Sequence, residues 1–539
     1  MEIKREISYT KNTKYRDVYA ESHGDYVLPD YQGDVRKILF TEATLRPSGR
    51  FAGGDEVEFS GVVVYNIIYL DSENNLSSVE FTSDYDYSVK CRGESYKDSV
   101  SDTRVSNYAI RLIGPRKFSA RTSLVGSVHL SESDTLSVSG DAFDADSSPE
   151  VNQKTVAIRK SALSSVTERE YAEKLCHLDG AMMDEVGVIY SRAEAIADSL
   201  EMEDEKVRVK GKLHVNAVIH SGDSPAYSLE RQIPFDEEVE FSGMTQDMRI
   251  LPQLTVSSLK TVVNADEAGC EVVANAILEI CVLGECNEKI DITTDSYLKS
   301  CPTDNVYDKF CYETLGDIIS VKGTHNAEVD RSELETDGLY EVIFLTATPK
   351  VERVDLQEQN VSIVGEIRYS GVASEVVNGD LSYVGVKFTS PFASNVNINC
   401  QNTDNLQIDA KVLTSSASAS VDSNKLYASC NIESVVTVCH EACETVLVSS
   451  VKRENERYEK VGATVTVYYP DEADTLFSVA KRFRTSGLKI ARDNDISETV
   501  FAAENESGSL KGIKKILIYE KKSLGFFQGS SYSFRISNS

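Results

Sequence analysis

The amino-acid sequence predicts a mainly β fold, in which three antiparallel β-sandwich or barrel-like repeats in tandem precede a small β-α-α-β domain. Most of the chain before residue 460 alternates apolar and polar residues in short runs, with Gly, Asp, Asn and Ser between the runs. This period of two residues is typical of half-buried antiparallel strands. A chain of 539 residues is also too long for one hydrophobic core, so several domains are expected.

A glycine-centred pattern recurs three times, and it predicts the repeats. In each copy an alanine is followed 18 residues later by a glycine, which has alternating apolar residues on both sides. The pairs are Ala43 and Gly61, Ala193 and Gly211, and Ala347 and Gly365. Glycine weakens a strand unless a bulge, a bend or a close backbone approach requires it. The same register in three copies therefore favours one shared geometric need.

The spacing of these copies, about 150 residues, is that of whole domains. The predicted segments are an N-terminal extension with repeat one (1–150), repeat two (151–302), repeat three (303–455), a mixed domain (461–520) and a tail (521–539). Polar stretches from Asp144 to Gln153 and from Thr303 to Asp317 are the predicted linkers. We expect the repeats to form a rigid acidic rod, whose open strand edges permit self-association.

The N-terminal stretch YVLPDYQGDVRKIL places an extended segment before a double acidic turn. Asp34 is placed to cap a single helical turn over VRKIL, because such side chains accept hydrogen bonds from orphan backbone amides. That turn is predicted to plug one end of the first sheet.

The alternating pattern ends after residue 462. A strand-like ATVTVYY leads into DTLFSVAKRF, whose apolar helical face consists of Leu476, Val479, Ala480 and Phe483. Asp474 is placed as the N-cap of this helix. A second short helix, GLKIARDNDI, and a strand from Ile513 to Tyr519 complete the order β-α-α-β.

The formal net charge of −30 argues against a nucleic-acid partner, because phosphate binding depends on clustered Lys and Arg. It also argues against adsorption to an anionic membrane. The chain starts without an apolar targeting segment and contains no apolar run that could span a bilayer, so we expect a cytosolic protein without a signal peptide. Eleven scattered cysteines favour a reducing compartment and mostly free thiols.

Two segments carry family resemblances. The run YVLPDYQGDVRKIL, followed by the strand VEFSGVVVYNIIY, resembles the SPOCS domain of spore-forming Firmicutes. Residues Ala463 to Tyr519 resemble a LysM domain: DTLFSVAKRF matches its first helix, and the pattern of its second helix fits Ile490, Asn494 and Ile496. The combination resembles the SipL-like spore coat morphogenesis proteins.

This resemblance implies a non-enzymatic scaffold in spore coat assembly. Such a protein would lie in the mother-cell cytoplasm at the forespore surface, and its LysM-like domain would bind a coat basement-layer morphogenetic ATPase. The alternative is a peptidoglycan-binding protein, which would anchor to N-acetylglucosamine glycans of the spore cortex or cell wall. For either partner the resemblance implies a shallow groove lined by Asp474, Thr475, Leu476, Asn494, Asp495 and Ile496. An opposing interpretation makes Leu476 and Ile496 core residues.

Sequence motifs for catalysis are absent: the chain has no G-x-S-x-G, H-E-x-x-H, phosphate-binding loop or G-x-G-x-x-G. We therefore expect no enzymatic activity and no cofactor. Cys439, His440 and Cys443 form the strongest metal-ligand grouping, but tetrahedral zinc needs four ligands. We expect no metal there, although the sequence alone leaves the point open.

Overall fold

The computed structural model describes residues 5–53, 55–91, 96–143, 147–222, 224–334, 339–377, 380–399, 405–422, 424–453, 456–458, 464–496, 510 and 513–520. In these ranges strands dominate, and the two α-helices lie near the C-terminal end. The predicted mainly β fold with antiparallel sheets is confirmed. No helix in the described ranges is long and apolar enough to cross a membrane.

The first sandwich is built from six strands. They are β1 (Arg5–Val27), β2 (Val35–Gly53), β3 (Glu56–Asp71), β4 (Leu76–Lys90), β5 (Tyr96–Gly114) and β6 (Lys117–Val138). One sheet has the order β2-β3-β4 and the other has the order β1-β6-β5. All neighbouring strands in both sheets are antiparallel.

The second sandwich has the same order with one difference. Its strands are β7 (Glu150–Leu163), β8 (Thr167–Asp179), β9 (Val186–Glu203), β10 (Lys206–Ser221), β11 (Tyr227–Glu240), β12 (Arg249–Ala265) and β13 (Gly269–Tyr297). One sheet is β9-β10-β11, and in the other β13 lies between β12 and the pair β7 and β8. Two shorter strands thus take the place of the long first strand.

The third sandwich returns to six strands. They are β14 (Thr303–Asp330), β15 (Leu339–Gln357), β16 (Asn360–Val377), β17 (Asp380–Asn397), β18 (Leu406–Val421) and β19 (Lys425–Lys452). Its sheets are β15-β16-β17 and β14-β19-β18. The predicted linker from Thr303 to Asp317 is wrong, because this stretch is the first half of β14.

The remaining elements are short. Single 3-10 turns lie at Asp141–Phe143, Met183–Glu185 and Arg331–Glu333. The C-terminal module, as we call residues 464–520, consists of β20 (Thr464–Tyr468), α1 (Leu476–Arg482), α2 (Gly487–Asp493) and β21 (Ile516–Glu520). β20 and β21 pair as an antiparallel sheet, so the predicted order β-α-α-β is observed.

In each sandwich the two sheets pack face to face over apolar side chains, which form one cluster in the first and third sandwiches and two clusters in the second. Tyr65 of β3 meets Leu124 of β6 in the first core, and the Tyr65 hydroxyl lies 2.8 Å from the Thr122 hydroxyl across the sheets. Leu213 of β10 packs in one cluster with β13 in the second sandwich. Ile367 of β16 does the same with β19 in the third. Burial of these alternating apolar residues is the main stabilising contribution.

At the three repeated glycines the structure shows the bulge and the close backbone approach that the sequence predicts. Opposite each glycine the preceding strand carries a register shift, at Pro47/Gly49, Ala197/Ser199 and Val351/Arg353. A Cβ added at Gly211 would lie 2.2 Å from the Ile196 carbonyl oxygen and 2.5 Å from a ring carbon of Phe235. Glycine thus admits the bulged backbone on one side and an aromatic ring from the next strand on the other.

The three sandwiches meet at a cluster of corresponding residues, which we call the hub. Its rings belong to Phe40, Tyr190 and Phe344, and their centroids are 4.8 to 5.5 Å apart in all three pairings. Ile68, Val218 and Val372 surround them, each 1% exposed, from the outer faces of β3, β10 and β16. The predicted rod is therefore wrong, because these outer faces are apolar and cover one another.

A second contact of all three sandwiches lies where the strand pairs β1–β6, β7–β13 and β14–β19 meet; we call it the ribbon junction. Its apolar part contains Ile7, Leu136, Val156, Ile158, Ile290, Ile292, Phe310 and Val446. Its polar part is the buried Arg159, whose Nη2 lies 2.6 Å from Glu285 Oε1 and whose Nη1 lies 3.5 Å from Glu313 Oε2. Asn12 of the first sandwich donates to the Arg159 carbonyl oxygen at 2.6 Å.

The helical turn predicted over VRKIL is wrong, because these residues open strand β2. Their register shifts between Ile38 and Phe40, so Leu39 is a bulge. The bulge directs Leu39 to the hub, where Ile189 and Ile343 occupy the corresponding positions. Val35 and Ile38 pack in the core of the first sandwich, whereas Leu39 contacts the hub.

Candidate functional site

The C-terminal module has a compact core that the sequence predicted in part. Leu476, Val479 and Ala480 of α1 are buried against Ile490 of α2 and Ile516 of β21. The apolar helical face predicted from spacing is therefore the core face of the module. Leu476 is 1% exposed, so it belongs to this core rather than to the surface of a groove.

The start of α1 differs from the prediction, because its N-cap is Thr475 and not Asp474. The Thr475 hydroxyl accepts from the Ser478 amide at 3.0 Å, and the Ser478 hydroxyl accepts from the Thr475 amide at 2.9 Å. Asp474 instead accepts from the Tyr468 hydroxyl at 2.6 Å and from the Asp471 amide at 2.9 Å. These bonds, led by the one from Tyr468, hold the pKa of Asp474 below its usual value.

The predicted groove residues that follow α2 also make most of their contacts within the module. Asn494 Oδ1 accepts from the Leu517 amide at 2.6 Å, and its Nδ2 donates to the Leu517 carbonyl at 2.7 Å. Ile496 packs partly buried against the core. Asp495, at φ 52°, is exposed. Of the six groove residues, Asp495 alone is both exposed and outside these internal contacts. Residues 497–509, where the loop continues, lie outside the described part of the chain.

The outer face of the β20–β21 sheet is an apolar surface that the sequence did not predict. We call it the outer strip: Val465 and Val467 of β20, Tyr469 directly after β20, and Tyr519 of β21, which are 59%, 48%, 68% and 41% exposed. Val465 and Tyr519 are directly paired across the two strands. The alternation that produces this surface is visible in TVTVYY. From alternation alone the valines would be placed in the core, but in the structure it is Tyr468 that faces the helices.

The module is fixed to the body of the protein through the end of β13. The Phe477 ring meets the Tyr297 ring edge to face at 5.2 Å, and the Tyr297 hydroxyl donates to the Thr485 carbonyl at 2.6 Å. Lys481 forms an ion pair with Asp295. These contacts keep the module in one position while its outer strip faces away from them.

A cleft of about 280 Å³ lies beside this contact. It is lined by Tyr297, Leu298, Pro302, Thr303, Asn305, Tyr307, Arg453, Tyr458 and Lys481. Its two cations are already neutralised, since Lys481 pairs with Asp295 and Arg453 with Asp304. The cleft therefore offers aromatic rings and neutral hydrogen-bonding groups rather than a free positive charge.

The Cys439, His440 and Cys443 grouping does not form a metal centre. Cys443 is joined by a disulfide to Cys311, its direct partner across β14 and β19. Cys439 is buried beside Arg159, and burial raises the pKa of its thiol to about 11. His440 lies between these cysteines in a continuous strand, so its side chain points to the opposite face. The eight other cysteines of the described residues form no disulfide, as the sequence predicted for most.

In the second sandwich, the strands that contain the repeated glycine and the bulge opposite it lie within a segment that matches a family model. Residues 187–264 match the family model described as SipL, SPOCS domain, and this range covers β9 to β12 almost completely. No curated protein and no solved structure matches the chain. The match supports similarity to SipL proteins over this part of the second sandwich, and it suggests a sporulation-related role in the spore coat.

Proposed function

We propose that this protein is a non-enzymatic scaffold of spore coat assembly, positioned in the mother-cell cytoplasm at the forespore surface. Its LysM-like C-terminal module would bind the coat basement-layer morphogenetic ATPase, while the three sandwiches provide a rigid support. The observation that supports a protein partner is the outer strip, which exposes four large apolar side chains on one small sheet. Contiguous exposed apolar surface of this kind is typical of protein-binding sites.

The predicted groove supports a glycan partner less well. Glycan binding needs exposed polar groups that are free to bond to the ligand, whereas Asp474, Thr475 and Asn494 are already bonded within the module. Asp495 is the exposed exception. The experiment must therefore distinguish binding to a protein partner from binding to peptidoglycan.

The test uses the full-length chain and the purified morphogenetic ATPase of the same organism. Val467→Asp places a charge in the outer strip, and we expect at least a tenfold weaker complex by biolayer interferometry. Val27→Asp is the matched control, because Val27 is similarly exposed, at 67%, but lies in β1 of the first sandwich. Equal affinities of both variants and wild type would contradict the proposed surface.

A second arm addresses the alternative partner and the location. Sedimentation with purified peptidoglycan should leave the wild-type chain in the supernatant. If the chain instead sediments, and Asp495→Ala abolishes this, the glycan-binding function replaces our proposal. A fluorescently tagged chain should form a ring around the forespore during sporulation, and uniform mother-cell fluorescence would count against a coat role.

A further inference from the structure

Three side chains with metal-binding atoms converge at one end of the second sandwich. His177 lies near the end of β8, and Glu271 is its direct partner on β13. Asp266 lies in the turn between β12 and β13. One ligand atom from each residue falls within 4.8 Å of the other two.

The contacts of His177 and Asp266 orient both groups. His177 Nε2 lies 2.8 Å from Asp266 Oδ2, and its Nδ1 lies 2.9 Å from Asp179 Oδ1. The other oxygen of Asp266 accepts from the amides of Ala268 and Gly269 at 2.8 and 2.9 Å. A carboxylate on the second nitrogen of a histidine is the usual partner of a metal-ligating imidazole.

At the corresponding ends of the other two sandwiches, the first residue of β6 and the first residue of β19 are ion-paired lysines, and the first residue of β13 is not a lysine. In the first sandwich Lys117 pairs with Asp25 at 2.7 Å, and in the third Lys425 pairs with Glu328. Their registers place Gly269 at the position of these two lysines. The second sandwich instead adds the carboxylate of Asp266, and the nearby Lys174 pairs with Glu271.

We propose that His177, Asp266 and Glu271 bind one divalent transition-metal ion of the Zn²⁺ class. An imidazole with two carboxylates suits such an ion, while Mg²⁺ and Ca²⁺ prefer oxygen ligands alone. Bonds of about 2.1 Å in tetrahedral geometry separate ligand atoms by roughly 3.4 Å, which rotations of these partly exposed side chains can reach. The metal takes the place of the proton shared by His177 and Asp266, displaces Lys174 from Glu271, and leaves one position for water.

The bound ion would link β8, β13 and the turn that precedes β13. In the first and third sandwiches, the lysine ion pairs make the corresponding link between strands. In the second sandwich the metal would replace the Lys174–Glu271 ion pair and extend the link to the turn that contains Asp266.

The test measures zinc bound per full-length chain by equilibrium dialysis with excess Mg²⁺ present. Because free thiols also bind zinc, the decisive quantity is the difference between variants. His177→Ala and Asp266→Asn should each bind one Zn²⁺ fewer than wild type. His23→Ala, which removes an exposed histidine of β1, should bind the wild-type number.

Equal zinc stoichiometry in wild type, His177→Ala and Asp266→Asn would overturn the proposal. Circular dichroism identifies a variant that fails to fold, and the other substitution then decides the result. Loss of one Zn²⁺ in His23→Ala, with no loss in the two site variants, would also overturn it.

Discussion

The hub and the ribbon junction each join all three sandwiches, but they are built by different means. The hub uses corresponding positions: Phe40, Tyr190 and Phe344 pack ring against ring. The ribbon junction adds a charged contact, the buried pair of Arg159 and Glu285, in which Arg159 also lies 3.5 Å from Glu313 of the third sandwich. Repetition of one unit is thus enough to build the hub, whereas the ribbon junction distinguishes the three units from one another.

The difference indicates what each contact contributes. Apolar burial at the hub stabilises the assembly without strict orientation. A buried ion pair adds little net stability but strongly disfavours arrangements in which either charge lacks its partner. Arg159 also contacts Glu313 and Cys439 of the third sandwich, so we infer that the ribbon junction fixes which sandwich lies beside the second.

The largest effect is expected at the ribbon junction. Arg159→Ala leaves Glu285, which is 3% exposed, as an unpaired buried charge, so the free energy of unfolding should fall by about 3–5 kcal/mol. Urea unfolding followed by circular dichroism measures this loss. The double variant Arg159→Met with Glu285→Leu should recover most of it, and a double variant as unstable as the single one would contradict this account.

A smaller loss is expected at the repeated glycine. In Gly211→Ala the added methyl group would overlap the Ile196 carbonyl, and overpacking of this kind costs about 1–3 kcal/mol. Gly323→Ala is the matched control, since no atom lies within 4 Å of an added Cβ there. If thermal melts show equal losses for both variants, close approach is not the reason for the glycine.

The hub should tolerate a change that makes its three parts more alike. Ile68→Val gives the first sandwich the residue found at Val218 and Val372, and loss of one methylene should cost about 1 kcal/mol. Urea unfolding of the variant checks this value. A loss as large as that of Arg159→Ala would mean that the hub also depends on unit-specific packing.

The smallest effect concerns alkaline pH. Burial, followed by the negative charge of Glu42, raises the pKa of Tyr190 well above its usual value. Its contribution to stability is therefore complete below about pH 10, the unfolded pKa, and is lost as the pH rises through the folded value. In urea titrations from about pH 9 to pH 11, Tyr190→Phe should lose less stability than wild type. Parallel profiles would contradict this.

The sequence predicts the sandwich cores because their residues alternate regularly around Gly61, Gly211 and Gly365. It does not predict the hub, although the run from Val62 to Leu70 is apolar at every position except Asn66. Such a run indicates a strand covered on both faces. What covers the second face depends on contacts between distant repeats, which local spacing cannot specify.

The candidate site shows the same limit. Spacing identifies Leu476, Val479 and Ala480 as one helical face, and they form the core of the module. It cannot decide between Asp474 and Thr475 as the cap, because both side chains can accept from orphan amides. Nor does it place Val465 and Val467 outside, because alternation does not say which face of a two-stranded sheet is covered.

Because all three sandwiches contact one another, the assembly limits how many such units can pack together. The first and third are joined directly, since the Ser139 amide donates to the Val448 carbonyl at 3.1 Å and the Ser450 amide donates to the Ser139 carbonyl at 2.9 Å. In an open array of repeats, units can be added at either end. Here the outer faces of β3, β10 and β16 cover one another in the hub, so deletion of one unit would expose apolar residues of the other two to water. The hub therefore suits a set of three units rather than an array that can be extended.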